Sequence, residues 1–262
     1  MLERLKELYR YRELLVMMAW RDVKVKYVQS LMGVLWALFM PILVVCAGMM
    51  VKYAISVVSG RPMEIQQLAA VSVKAVPWAF FIGSLRFGTN SLLGNQNLVT
   101  RIYFPKEIFP IAAVLSCLFD FGVAASVLGV ALAVAGIGSS AQLLWVPALL
   151  AILIAFSLAL SLLLSCLNLF YRDVKFIVEV ILTFAIFFTP VLFEADTFGE
   201  NVRRLLLLNP LSPLLEGFYA TIVLHRSPDV PWVLYSAAAS LLLLLFSYQV
   251  FKRLEPRFAE SI

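Results

Sequence analysis

Between Phe121 and Tyr171 the chain carries no charged residue, and no other feature limits the possible folds so sharply. As a single helix rising about 1.5 Å per residue, that stretch would be about twice as long as a bilayer is thick. It must turn back on itself, and Gly136-Ile-Gly-Ser-Ser-Ala-Gln142 supplies the turn-forming residues. A water-soluble core cannot absorb the remainder either. Hydrophobic residues make up 62% of the 262 residues and charged ones 14%, against roughly 45–50% and 25% in soluble domains, and mean hydropathy is +0.93. The sequence predicts an all-α integral membrane protein.

Runs long enough to cross the hydrocarbon, about 20 residues, place six transmembrane helices near 31–57, 73–93, 108–135, 143–169, 175–192 and 231–251. The stretch 193–230 fits neither a span nor a loose loop. Its charges alternate with Leu-rich turns, and Asn209-Pro210 and Ser212-Pro213 punctuate it. Proline is tolerated at the first turn of a helix and Asn or Ser before it can cap, so two short helices are expected. They should lie in the interface or re-enter the bilayer, where protein or water shields their backbone. Residues 2–20 repeat Leu2, Leu5, Leu8, Leu15, Val16 and Ala19 among charges, which predicts an amphipathic helix along the cytoplasmic interface, within an interfacial segment of 2–26. With the amino terminus inside, fourteen Lys and Arg residues fall on cytoplasmic segments and six on the outer side, with Arg86 inside span two. The positive-inside rule then puts both termini in the cytoplasm. The net charge of +5 is read as topology rather than as a nucleic-acid footprint. The charged start, Met1 to Arg12, has no apolar core with a cleavage site, so the first span is expected to direct insertion.

The motifs that are missing also discriminate. There is no Gly-Lys dipeptide and therefore no phosphate-cradling Walker loop. His225 is the single histidine, and no metalloprotease, metal-dependent glycosyltransferase or serine-hydrolase signature accompanies it. Cys46, Cys117 and Cys166 are scattered in apolar runs without ligand spacing. No catalytic residue and no metal site is expected.

Three segments carry a family resemblance. Trp20-Arg-Asp-Val-Lys-Val-Lys-Tyr-Val-Gln-Ser-Leu-Met-Gly-Val-Leu-Trp36 precedes span one. Asn95-Gln-Asn-Leu-Val-Thr-Arg-Ile-Tyr-Phe-Pro-Lys-Glu-Ile-Phe-Pro110 joins spans two and three. Phe170-Tyr-Arg-Asp-Val-Lys175 joins spans four and five, with Leu208-Asn-Pro-Leu211 following. In motif order and loop position, over essentially the whole chain, this resembles the transmembrane permease subunit of type-2 ABC exporters of polysaccharides, the O-antigen, capsule and teichoic-acid export family. The resemblance implies one transmembrane domain over 1–262 in the bacterial inner membrane, working as a homodimer around a conduit. It implies two separate ABC ATPase subunits that bind ATP and Mg, with no cofactor in this chain. It implies a lipid-linked polysaccharide substrate. The other readings are a type-2 ABC exporter of a drug or lipid, a polytopic transferase acting on a lipid-linked substrate, and a structural scaffold. The transferase would need carboxylates clustered at one membrane face, which the sequence lacks.

By the same resemblance the loop 94–107 is the coupling helix that docks on the ATPase. Its residues Asn97, Arg101, Tyr103, Phe104, Pro105, Lys106 and Glu107 include Tyr103 and Phe104 as apolar anchors and Arg101 and Lys106 as a charged rim. The outer segment resembles the family's gate helices, with Leu208, Asn209, Pro210 and Leu211 at the bend. A sugar polymer needs flat aromatic surface and exchangeable hydrogen bonds. Tyr27, Trp36 and Phe39, then Phe80, Phe81 and Phe87, then Phe184, Phe187 and Phe188 recur at helical spacings that put members of each group on one face, so these, with Arg86, are the expected conduit lining. Charge inside a span is costly and faces protein or water. Arg86 is therefore expected to pair with Asp120 or Glu179, and Glu179 lies nearer in depth.

Overall fold

The computed structural model describes residues 9–28, 30, 32–59, 65–101, 104–195 and 199–260. Helices dominate and no strand occurs among the described residues. The chain runs α1 (Arg12–Tyr27), α2 (Trp36–Ser59), α3 (Ile65–Asn90), α4 (Gln96–Arg101), α5 (Ile108–Val134), α6 (Val146–Phe170), α7 (Val174–Ala185), α8 (Glu200–Leu207), α9 (Leu211–Ile222) and α10 (Val230–Leu254). Five helices, α2, α3, α5, α6 with the turn before it, and α10, are long and apolar enough to cross a membrane. They correspond to the expected spans one, two, three, four and six.

The fifth expected span begins as α7, whose 12 residues reach about 18 Å at 1.5 Å per residue. Tighter turns then carry the chain on to Pro190, through hydrogen bonds from Phe187 N–H to Phe184 C=O and from Phe188 N–H to Ala185 C=O. Asn209 Nδ2 donates to Thr189 Oγ1 at 3.1 Å and ties this end to the outer helices.

The uncharged run does reverse at Gly136. Gly136 sits at φ +76°, its N–H bonds Ala133 C=O, and the Ile137 N–H bonds Leu132 C=O. That double hydrogen bond is the glycine-terminated Schellman stop, which a residue with a Cβ adopts only under strain. Ser140 then caps the next helical turn by accepting from Gln142 N–H at 3.2 Å.

At the centre lies α3, 78% buried along its apolar window against 11% for α5, and α2, α5, α6 and α7 pack around it. Small residues set its closest approach. Ser84 and Gly88 on α3 meet Ser161 on α6, where a Cβ added to Gly88 would lie 2.4 Å from Ser161 Oγ. Ser161 Oγ donates to Ser84 C=O at 3.1 Å. Two turns further along α6, buried Asn168 donates to Thr89 C=O at 3.0 Å and accepts the Lys175 N–H at 3.2 Å, so one side chain joins α3, α6 and the start of α7. Where lipid removes the hydrophobic drive for helix association, such close packing and hydrogen bonding hold helices together.

Among the described residues α1 does not show one simple apolar stripe. Leu14, Leu15 and Met18 pack on the protein, whereas Val16, Met17 and Trp20 are exposed. The helix lies along α5, with the Trp20 and Phe119 rings 6.4 Å apart. It therefore meets protein on one side and presents apolar side chains outward on another, as a helix at a lipid interface does. Leu2, Leu5 and Leu8 lie outside the described residues.

Candidate functional site

A cavity of about 600 Å³ opens where the end of α1 meets α2, α3 and α5. Tyr27, Trp36, Phe80, Arg86, Phe87 and Asp120 all line it, so most of the residues singled out on the first two spans converge there. Asp120 is its electrostatic centre. Lys26 Nζ lies 3.0 Å from Asp120 Oδ2 and Tyr27 Oη donates to Oδ1 at 2.5 Å. Burial first, and the bonded carboxylate second, push the Tyr27 phenol well above its ordinary value. Tyr27 therefore stays a neutral donor. The Lys26 ammonium also sits 4.2 Å from the centre of the Phe87 ring, a cation–π contact.

Arg86 pairs with Glu179 on α7 at 2.8 Å, the alternative nearer in depth, and Asp120 is taken by α1. The role of Lys26 escaped sequence reasoning because the residue counted only as topology. Its one local signal is its place in the last turn of a helix. Arg86 and Glu179 keep 36% and 49% of their side chains exposed, so the pair contributes at most about 1 kcal/mol to stability. Arg86→Gln is expected to leave the thermal midpoint within a few degrees of wild type in detergent. A shift comparable to that of a core truncation would show that the pair braces the helices instead.

The aromatic residues divide. Trp36 and Phe39 form an edge-on pair 5.0 Å apart and, with Phe87, Phe184, Phe187 and Phe188, are exposed on the single chain. Phe80 is buried against Phe121, with ring centres 5.8 Å apart, and still contributes to the cavity wall. Phe81 departs from the expectation. It is 6% exposed and stacks on Phe156 at 5.7 Å, because its place on α3 faces α6. It is a core residue and does not line this cavity.

The loop 94–107 is built differently from the docking surface expected there. Helix α4 turns Val99 inward and leaves Gln96, Asn97 and Thr100 exposed. Phe104 is 6% exposed and packs on Phe109 with ring centres 5.4 Å apart. It belongs to an apolar cluster with Leu92, Ile108, Phe251 and Phe258, so it shapes the loop from within and offers no anchor to a partner. Pro105 is buried as well. Glu107 is 3% exposed in its side chain and pairs with Lys252 at 2.7 Å. Lys252 also pairs with Glu255 at 2.9 Å, and Glu255 accepts the Lys106 N–H at 3.2 Å. The end of the last helix thus clamps the loop, a link between positions 145 residues apart that no local pattern announces. Tyr103 lies outside the described residues, as does the Arg101 side chain. Glu107→Gln is expected to cost about 1–3 kcal/mol through the weakened charged hydrogen bond, read as a lower thermal midpoint; an unchanged midpoint would mean that Lys252 needs only Glu255.

At the opposite end α8 and α9 meet at a bend of 110°. Asn209 and Pro210 form that bend: Asn209 Oδ1 accepts the Leu211 N–H at 3.2 Å, and Pro210 starts α9 with φ −58°. Leu208 is exposed while Leu211 is buried, and Tyr235 Oη on α10 holds Leu208 C=O at 2.8 Å. On α8, the hydrogen bond from Arg204 keeps the Glu200 carboxyl below its ordinary value. Lys74, 1% exposed, reaches from α3 to Glu216 on α9 at 2.7 Å and to Phe193 C=O at 3.1 Å.

No cluster of His, Cys, Asp or Glu suited to a metal ion occurs among the described residues. Each acid at the cavity is held by a cation, Asp22 by Arg21 and Asp120 by Lys26. These features define a polytopic helical membrane protein with a polar-centred cavity at one end and a bent helix pair at the other. The chain belongs to the ABC-2 type transporter family, whose pattern covers residues 13–223, and is the permease of a type-2 ABC exporter. It is 31% identical over its full length, and over the full length of the relative, to an O-antigen export system permease protein RfbA of Myxococcus xanthus. It is 25% identical to an O-antigen export system permease protein RfbA of Klebsiella pneumoniae, over 95% of each chain.

Proposed function

We propose that this permease moves a lipid-linked, O-antigen-like polysaccharide across the bacterial inner membrane, as a homodimer driven by two ABC ATPase subunits that bind the ATP and Mg. The observation that carries the substrate is the full-length similarity to permeases named for O-antigen export. Both termini lie in the cytoplasm in this reading, so the α4 end meets the ATPase and the α8–α9 pair acts as the outer gate. The aromatic side chains exposed on one chain, Trp36, Phe39, Phe87, Phe184, Phe187 and Phe188, are the surface offered to a second copy, to the polymer or to lipid. Neutralised pairs such as Arg86–Glu179 and Lys26–Asp120 favour this role, since a passage for a long polymer must hold without gripping.

ATP closure would push α4, and the clamp from Glu107 to Lys252 would pass that push to α10. The docking surface is then the exposed side of α4, with Asn97 and Thr100 one turn apart, and the rim of Lys106. Asn97→Arg/Thr100→Arg is expected to lower ATPase co-purification roughly tenfold, the loss of about 1.4 kcal/mol of binding, while the permease still inserts. Retained partner and retained export would put the docking surface elsewhere. An exporter of a drug or lipid would instead show ATPase stimulation by small amphiphiles.

A further inference from the structure

A second pocket, of about 450 Å³, lies between the end of α9, the start of α10 and α8, at the end of the molecule opposite the coupling loop. Its volume falls in the range of small-ligand sites. Four charged side chains line it, Arg203, Arg226, Glu216 and Asp229, with Trp232 and Tyr219. Two cations and two anions share its wall, so charges of both signs face the space. Arg203 already pairs with Asp229 at 3.1 Å, which presents donors and acceptors side by side without net charge. Glu216 Oε1 takes both the Lys74 ammonium and the Ala195 N–H, at 2.7 and 3.1 Å. That fixes the carboxylate, and the side chain remains 23% exposed at the pocket. The Trp232 ring is held edge-on by Tyr235, 5.8 Å away. An indole beside a fixed Glu216 carboxylate, the Arg203–Asp229 pair and the Arg226 guanidinium matches a neutral sugar ring, which has an apolar face and a rim of hydroxyls that both donate and accept.

We propose that this pocket is a sugar-ring site that holds one or two residues of the polymer as it emerges. The proposal takes its biological meaning from the export reading and adds a place and residues to it: Trp232 as the platform, Glu216 and Asp229 as acceptors, and Arg203 and Arg226 as donors. Because Glu216 also holds α9 to α3 through Lys74, an occupied pocket would load the same contact that positions the bent helix pair.

The full-length permease in lipid nanodiscs, probed by saturation-transfer NMR with methyl glycosides of glucose, galactose, mannose and rhamnose, tests the site; glycerol 3-phosphate is the anion control. At least one glycoside should bind with millimolar affinity, and its signal should fall roughly fivefold or more in Trp232→Ala, the scale of a lost aromatic contact. The signal should survive in Trp232→Phe, which keeps a ring, and should fall in Arg226→Ala, whose exposed side chain gives no reason for misfolding. Equal signals in wild type and Trp232→Ala, stronger binding of glycerol 3-phosphate, or silence from all four glycosides would overturn the site. Failure of the export reading is read separately. A strain lacking this chain that still displays surface polymer removes that reading while leaving glycoside binding standing, and a polymer-deficient strain with a silent permease removes the pocket alone.

Discussion

Glu216→Ala is expected to lower the stability of the permease by about 3 kcal/mol, the low end of what breaking a buried ion pair costs. The direction follows from the asymmetry of the pair. Lys74 is 1% exposed whereas Glu216 keeps 23% of its side chain open, so removing the carboxylate strands an ammonium that cannot reach water. Its remaining partners are Phe193 C=O at 3.1 Å and the Tyr219 ring at 5.0 Å. Lys74→Met strands a carboxylate with solvent nearby and should cost clearly less. The double variant Lys74→Met/Glu216→Leu should recover most of the loss, since an apolar pair of similar volume is often as stable as the ions it replaces. Thermal midpoints in detergent for the three variants check the order; equal losses in both single variants would mean that Glu216 is as buried as Lys74. The same contact ties α3 to α9, so Glu216→Ala is also expected to loosen the bent helix pair.

Gly88→Leu is expected to part α3 from α6 and to cost at least about 1–3 kcal/mol by overpacking. A Cβ at position 88 would meet Ser161 Cβ at 2.5 Å and Ser161 Cα at 3.3 Å, so the obstruction includes backbone and a rotamer change does not relieve it. Gly88→Ala combined with Ser161→Gly removes the side-chain part of the clash and should sit closer to wild type than Gly88→Ala alone. Additive losses in that pair would show that the helices do not touch there. The effect should reach the loop after α6, because Asn168 binds Thr89 C=O only while the helices stay close.

How much of this was legible depends on the range of the physics. Spans announce themselves through consecutive apolar residues, and the reversal at Gly136 through its composition, so the five long helices lie where the sequence puts them. The bend at Asn209-Pro210 was equally local, since one side chain caps and the next residue cannot continue a helix. Only the first part of the fifth expected span is α-helix, because apolarity continues beyond Ala185 while the hydrogen bonding tightens, and hydropathy does not register that change. Site residues depend on which way a helix faces. Phe80 and Phe81 are neighbours with the same chemistry, yet one lines the cavity and the other fills the core. The Glu107–Lys252 clamp and the attachment of Lys26 to Asp120 join segments far apart in the chain, and charge counting assigns such residues to a membrane side rather than to a partner. Phe104 looked like a docking anchor for the reason that it is a core residue: it is large, apolar and next to proline.

The central claim is that this permease carries a lipid-linked polysaccharide outward. The direct test is to delete the chain, label surface polymer with a reagent that does not cross the inner membrane, and measure lipid-linked polymer inside the cell. The account predicts that surface polymer disappears, that lipid-linked polymer accumulates on the cytoplasmic side, and that the wild-type chain restores display. Surface polymer at wild-type level without the chain would contradict it.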